Sequence, residues 1–149
     1  MDNTQAISTL NSLIETLKDG EEGFRTAAEG LTDPQTKAVF QQYSRERAQM
    51  AQELQSEVRA LGGDPEKAGS MSGSVHRGWI NIKSAVTGKN DASIIAEAER
   101  GEDFAKKAYE EASRAGLPAP ASAVVSRQAI QVRSAHDRVR SMERAVTAH

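Results

Sequence analysis

The sequence predicts an all-α fold, a bundle of four long helices with a long connection between the second and the third. In four segments apolar residues recur every three or four positions, which is the period of a helix with one buried face. Proline, glycine, asparagine and aspartate separate these segments. Aromatic residues make up only 4% of the chain, and no segment alternates as a strand would. At 149 residues the chain is expected to form one domain, residues 1–149.

The first two helices are predicted over about 4–31 and 34–61. Asp33 and Pro34 supply an N-cap and a first-turn proline for the second helix, and Gly62 and Gly63 end it. The predicted buried stripe of the first helix is Ile7, Leu10, Ile14, Leu17, Glu21, Phe24, Ala28 and Leu31. A carboxylate at position 21 therefore interrupts an otherwise apolar face.

The other two long helices are predicted from the cap at Asn90 and Asp91 to about 115, and over about 121–146. The connection from 63 to 90 carries its own short amphipathic helix, whose apolar face is Val75, Trp79, Ile82 and Val86. Trp79 is expected to anchor this connection on the bundle. His76 is expected at the surface or in an interface.

Each long helix has one polar residue near the middle of its apolar stripe: Glu21, Glu46 or its neighbour Arg47, Glu102, and His136. Glu21 lies 10 residues before the end of the first helix, and Glu46 lies 12 after the start of the second. Because each residue of a helix rises about 1.5 Å, an antiparallel hairpin brings these two to the same height. The second hairpin gives a similar match for Glu102 and His136. One layer is therefore predicted to hold all four side chains.

The position of this layer also predicts the topology. In the first hairpin the layer lies nearer the connecting loop, and in the second it lies farther from it. The ends of the bundle align best if the two loops point in opposite directions, so the second and third long helices run parallel and the connection crosses the bundle. One long crossover with a mid-height layer of acids and histidine is the ferritin-like arrangement.

Several stretches resemble the bacterial DUF2383 (PA2169) family, a group placed among the ferritin-like proteins. They are LIETLKDGEEGFRTAAE, RERAQMAQELQSEV, HRGW, AEAERGEDFAKKAYEEA and AHDRVRSME. The similarity covers nearly the whole chain. It implies a ferritin-like four-helix bundle, and in that arrangement a di-iron site takes a Glu from each of two helices and a Glu-x-x-His pair from each of the other two.

Mapped onto this chain, the arrangement implies the metal ligands Glu21, Glu46, Glu102 and His136. The chain departs from the full set at two positions. The second helix has Gln49 in place of the histidine that would follow its glutamate. The fourth helix has Arg133 in place of the glutamate that would precede its histidine. The remaining donors suit one divalent ion, such as iron, manganese or zinc, better than two.

Two functional hypotheses follow. The first is a ferritin-like, metal-binding protein of the stress response. The second is a non-catalytic structural or interaction bundle without metal, in which arginines replace the metal charge. The buried salt-bridge network of the second hypothesis joins Arg47 and Arg133 to Glu21, Glu46 and Glu102.

Composition and motifs restrict the other classes. A net charge of -2 argues against a nucleic-acid binder, and no apolar run is long enough to span a membrane. The chain has no cysteine and no signal-peptide pattern at its N-terminus, so a bacterial cytoplasmic location is expected. The absence of a nucleophile elbow or phosphate loop favours a non-enzymatic role, and turnover as a di-iron oxidase or ferroxidase is not expected. A homodimer is the expected partner state.

Three further expectations concern individual residues. Tyr43 and Tyr109 are expected on the inner faces, with satisfied hydroxyls. The acidic side chains in AEAERGEDF other than Glu102 are expected to be solvated. The glycines beside the core glutamates, at 20, 23 and 101, indicate close helix approach around the polar layer.

Overall fold

The computed structural model describes residues 1–65 and 78–147, and in these residues the predicted all-α architecture is confirmed. Four long helices and one short helix are formed. They are α1 (Asn3–Gly30), α2 (Pro34–Ala60), α3 (Ile82–Thr87), α4 (Asp91–Ser113) and α5 (Ala121–Thr147). The predicted bounds of the four long helices are correct to within two residues. None of the described helices is both long and apolar enough to cross a membrane.

The helix ends follow from local chemistry, as predicted. The Asp33 side chain accepts a hydrogen bond from the backbone N–H of Thr36 and begins α2 just before Pro34. The Asn90 side chain does the same for α4. Gly62, with φ of +87°, follows the last turn of α2, a conformation that glycine adopts without strain.

The topology is the predicted one, with a crossover between two antiparallel hairpins. The backbone N–H groups of Thr32 and Asp33, in the α1–α2 loop, donate to the carboxylate of Asp91 at 2.9 and 3.0 Å. The start of α4 therefore lies at the same end of the bundle as the start of α2, and the two helices run parallel. The connection between them must cross the bundle, which is the ferritin-like topology.

The apolar core has two parts, separated by a polar layer. One part is formed by residues before Gly20 on α1 and after Arg47 on α2, and it includes Leu17, Met50 and Ala105. The other lies beyond Phe24 on α1 and is made with Phe40 and Trp79. The four long helices pass between the two parts at residues 18–23, 41–49, 99–104 and 133–138. The layer predicted from the sequence therefore lies within these stretches.

The crossover is fixed to α1 and α4 by Trp79, which is 1% exposed. Its indole lies where side chains on Gly23 and Gly101 would be, and a Cβ on either glycine would overlap the ring. The predicted anchor role of Trp79 agrees with this packing. The predicted short helix is shorter than expected, because α3 begins at Ile82 and Trp79 precedes it. Val75 and His76 lie outside the described residues.

Candidate functional site: the polar layer between the two cores

The centre of the polar layer is a buried ion pair between α2 and α4. Arg47 Nη1 and Nη2 donate to Glu102 Oε1 and Oε2, both at 2.7 Å. The two side chains are 3% and 0% exposed. This is the fork-to-fork geometry in which a guanidinium satisfies both oxygens of a carboxylate, and it is among the stronger hydrogen-bonded pairs in proteins.

Arg47 is accommodated by α1. The inward position of α1 at this height is Gly20, and a Cβ there would lie 3.3 Å from Arg47 Nη1. One turn further along α1, the Phe24 ring has the guanidinium carbon 5.4 Å from its centre, within range of a cation–π interaction. Burial lowers the pKa of Arg47, but attraction and hydrogen bonds from Glu102 outweigh burial, so the net shift is upward. Arg47 is therefore a permanent internal cation.

Two of the predicted ligands, Glu21 and Glu46, are less buried than Arg47 and Glu102. Glu21 is half-buried, since Gly20 and Phe24 take the buried positions of this turn. Its backbone carbonyl accepts a hydrogen bond from the Ser44 hydroxyl at 2.8 Å. Glu46 is also half-buried, and of the two alternatives on α2 the fully buried one is Arg47. The expectation that position 21 is a core position of α1 is therefore wrong by one residue.

The fourth predicted ligand, His136, is buried as expected, at 2% exposure. Its Nε2 lies 2.5 Å from an oxygen of Asp103 on α4, and its Nδ1 lies 3.1 Å from an oxygen of Asp137. The hydrogen bond from His136 is the largest cause of a lowered pKa at Asp137. Both ring nitrogens are thus engaged by carboxylates, and neither bonds to Glu102.

These contacts bear on whether the layer fits a metal centre. Both oxygens of Glu102 already face a cation, and both nitrogens of His136 face carboxylates. Across residues 1–65 and 78–147, no group of three or more histidine, aspartate or glutamate side chains is arranged to hold a metal ion. The residues in this arrangement do not fit the di-iron set of the ferritin-like bundles. The four-ligand site at Glu21, Glu46, Glu102 and His136 stays a prediction.

The predicted salt-bridge network is also smaller than expected. Its Arg47–Glu102 component is present and buried. Arg133, the second arginine of the predicted network, is exposed on α5. That part of the network is wrong, because position 133 follows the buried Val132 and lies outside the inner stripe of α5.

A second buried polar chain lies one to two turns from Arg47 and was only partly anticipated. The hydroxyl of Tyr109 donates to Gln128 Oε1 at 2.8 Å, so this tyrosine is satisfied as expected. The Gln128 amide donates to the backbone carbonyl of Met50 and to Glu53, both at 3.1 Å. Burial raises the pKa of Tyr109. Gln128 is fully buried. It was not predicted from the sequence because glutamine is usually a surface residue. Its position on the apolar stripe of α5, between Val125 and Val132, was the signal that could have identified it.

The acidic residues near Glu102 behave differently from one another. Glu97 is 2% exposed, so the expectation that it is solvated is wrong. Its carboxylate accepts a hydrogen bond from the backbone N–H of Asn81 at 2.6 Å, at the start of α3. Asp103 is exposed in part but is the partner of His136. Glu97 thus fixes the crossover next to Trp79, and Asp103 holds α5 to α4.

A family model, described as a domain of unknown function (DUF2383), matches residues 5–115. The chain belongs to the DUF2383 family. The matched range extends from the first turn of α1 to just past the end of α4 and includes the Arg47–Glu102 pair, whereas α5 with His136 follows it. No curated protein sequence matches the chain. Membership of DUF2383 confirms the resemblance and assigns no reaction.

Proposed function

We propose that this DUF2383 protein is a metal-independent, non-catalytic bundle that acts by binding another protein. The observation that carries the proposal is the buried Arg47–Glu102 pair. In a ferritin-like metal centre, carboxylates in the middle of the bundle neutralise cations. Here the cation is a side chain of the protein, so the charge of Glu102 is balanced without an ion.

The surroundings of the pair support this proposal. Gly20 leaves space on α1 for the arginine stem, and the Phe24 face lies against the guanidinium. Removing two charges from water is costly, and such pairs often contribute more to a defined helix register than to stability. A pair that joins α2 to α4 across the bundle suits a role as an internal positioning device. It exposes no reactive group.

The alternative is the metal-binding, stress-related role that the resemblance implies. It is favoured by the burial of Glu102 and His136 in one layer, with Glu21 and Glu46 half-buried beside it. For a metal to bind there, Arg47 would have to leave Glu102, and a buried guanidinium would lose its partner. Because that rearrangement costs free energy, metal binding in this layer is less favourable than the metal-independent arrangement.

The test is metal analysis of the purified protein after separate loading with iron, manganese and zinc, followed by desalting. We expect less than stoichiometric metal, and a melting temperature that EDTA does not change. One ion bound per chain in the wild type, and lost in both Glu21→Ala and His136→Ala, would establish the alternative instead. Arg127→Ala, which removes a surface arginine, is the control for a nonspecific change in charge.

A further inference from the structure

A groove of about 280 Å³ lies on the surface between α4 and α5. Its apolar centre is Ile130, beside the half-buried Ala129. Ile130 is 72% exposed, compared with 63% for Ile80. A single exposed aliphatic side chain is ordinary in a soluble protein. Its position in a concave, charged setting is not.

The rim of the groove is basic. Lys106, Arg114 and Arg133 line it with a single acid, Glu110, although the whole chain has a net charge of -2. Asp137 is attracted to Lys106 and Arg133 and balances part of this charge, but the three cations still outnumber Glu110 and Asp137. The groove therefore has a positive rim on a protein of opposite net charge.

The cations are arranged at the two ends. Because α4 and α5 are antiparallel, Lys106 lies at the height of Arg133. Arg114 lies eight residues further along α4, about 12 Å away at 1.5 Å per residue. Ile130 and Glu110 fall between the two ends. The centre of the groove thus suits an apolar group, and carboxylates are favoured only at its ends.

We propose that this groove binds an acidic, amphipathic helix of another protein. The ligand has carboxylates seven or eight residues apart, about 11–12 Å along a helix, with an apolar side chain midway that packs on Ile130. Helix-in-groove binding and recognition of acidic motifs by arginine are both established modes of peptide recognition. The proposal rests on the proposed function, for which it names the class of partner.

The other occupants are less compatible with the groove. A second copy related by a two-fold axis through the centre of the groove would bring the Lys106 and Arg133 end of one copy against the Arg114 end of the other, and these like charges repel. A membrane surface is flat, whereas this site is concave and has Glu110 at its centre. These occupants are treated as outcomes of the test.

The experiment is selection from a random peptide display library against the full-length protein in EDTA, followed by binding measurements with synthesised winners. We expect an acid–apolar–acid consensus with the spacing above, and affinities that fall by about tenfold or more in Ile130→Glu and in Arg133→Glu. The matched controls Ile80→Glu and Arg59→Glu should bind as the wild type does. Melting curves establish that all four variants are folded.

Four results would overturn the proposal. The winners could lack the acidic consensus, or bind Ile130→Glu as tightly as the wild type. The wild type could self-associate in analytical ultracentrifugation and lose this in Ile130→Glu, which would assign the groove to a second copy. It could bind anionic vesicles through Arg133 while binding none of the winners. Because the peptide measurements are made in EDTA, metal bound in the loading experiment would overturn the proposed function alone.

Discussion

Removing either member of the Arg47–Glu102 pair should destabilise the protein far more than removing both. The pair is buried, with side chains 3% and 0% exposed. Arg47→Met or Glu102→Leu alone leaves one buried charge without its partner, and such changes cost about 3–5 kcal/mol. The double variant Arg47→Met/Glu102→Leu leaves no unpaired charge, and comparable replacements range from neutral to about 1–4 kcal/mol stabilising.

These magnitudes are measurable in a protein of this size. Domains of ordinary stability have a free energy of unfolding of about 5–15 kcal/mol. Over most of this range a loss of about 3–5 kcal/mol leaves the single variants folded. At about 2–4 °C per kcal/mol for 150–250 residues, each single variant should melt about 6–20 °C below the wild type. The assay is urea unfolding followed by helical circular dichroism, analysed as a double-mutant cycle.

The control is the surface pair Arg127–Glu53, whose side chains are 53% and 40% exposed. Arg127→Met should cost no more than about 1 kcal/mol, the usual limit for a solvated ion pair. A cost of Arg47→Met no larger than that of Arg127→Met would contradict a buried, paired charge at position 47. Simple addition of the effects of the two core substitutions in the double variant would contradict it as well.

Three further predictions concern the crossover, the second polar chain and a helix cap. Gly101→Ala should displace Trp79, cost about 1–3 kcal/mol by overpacking and shift the emission of this single tryptophan to longer wavelength. Gly88→Ala, whose Cβ would make only ordinary van der Waals contacts, should do neither. Tyr109→Phe removes a buried hydrogen bond and should cost about 1 kcal/mol in urea unfolding. The lowered pKa of the Asp33 cap means that its stabilisation is complete above the unfolded value, about 3.9, and is lost as pH falls through the lower folded value. The difference in stability between wild type and Asp33→Ala should therefore narrow in acid.

Each of these has a contradicting result. Unchanged tryptophan emission in Gly101→Ala would mean that the indole does not occupy the space between the two glycines. A phenylalanine variant as stable as the wild type would show that the second polar chain contributes nothing at that hydroxyl. If the difference in stability between the wild type and Asp33→Ala did not depend on pH, the charge of the Asp33 carboxylate would not contribute to the stability of the cap.

The fold could be predicted from the sequence because its signals are local and agree with one another. The period of the apolar residues, the caps at Asp33 and Asn90 and the glycine after α2 each fix one boundary within the segment itself. The crossover followed from where the polar layer falls along each hairpin. The extent of α3 was overestimated, because Trp79 has a place on the helical stripe but is held by packing between two glycines of other helices.

The site was less predictable, because neighbouring positions on a helix satisfy the same period. Both Gly20 and Glu21 continue the stripe from Leu17 to Phe24, and the spacing alone does not distinguish them. The choice is made by Arg47 on the neighbouring helix, which requires the space that a glycine leaves. The same ambiguity left Arg47 and Glu46 open on α2.

Pairing across helices was the other feature that the pattern did not contain. The sequence placed His136 and Glu102 in one layer but did not show that His136 bonds to Asp103, one residue further along α4. Glu97 was misjudged for a related reason. Its carboxylate accepts a hydrogen bond from the backbone N–H of Asn81 in the crossover, and the pattern of apolar residues gives no information about such a backbone partner.

The most direct test of the central claim is an anomalous difference map from crystals soaked in Mn²⁺ and, separately, Zn²⁺. We expect the Arg47 guanidinium within hydrogen-bonding distance of both Glu102 oxygens, with no anomalous peak in the polar layer. A peak at coordination distance from Glu102 and His136, with Arg47 turned away, would contradict it.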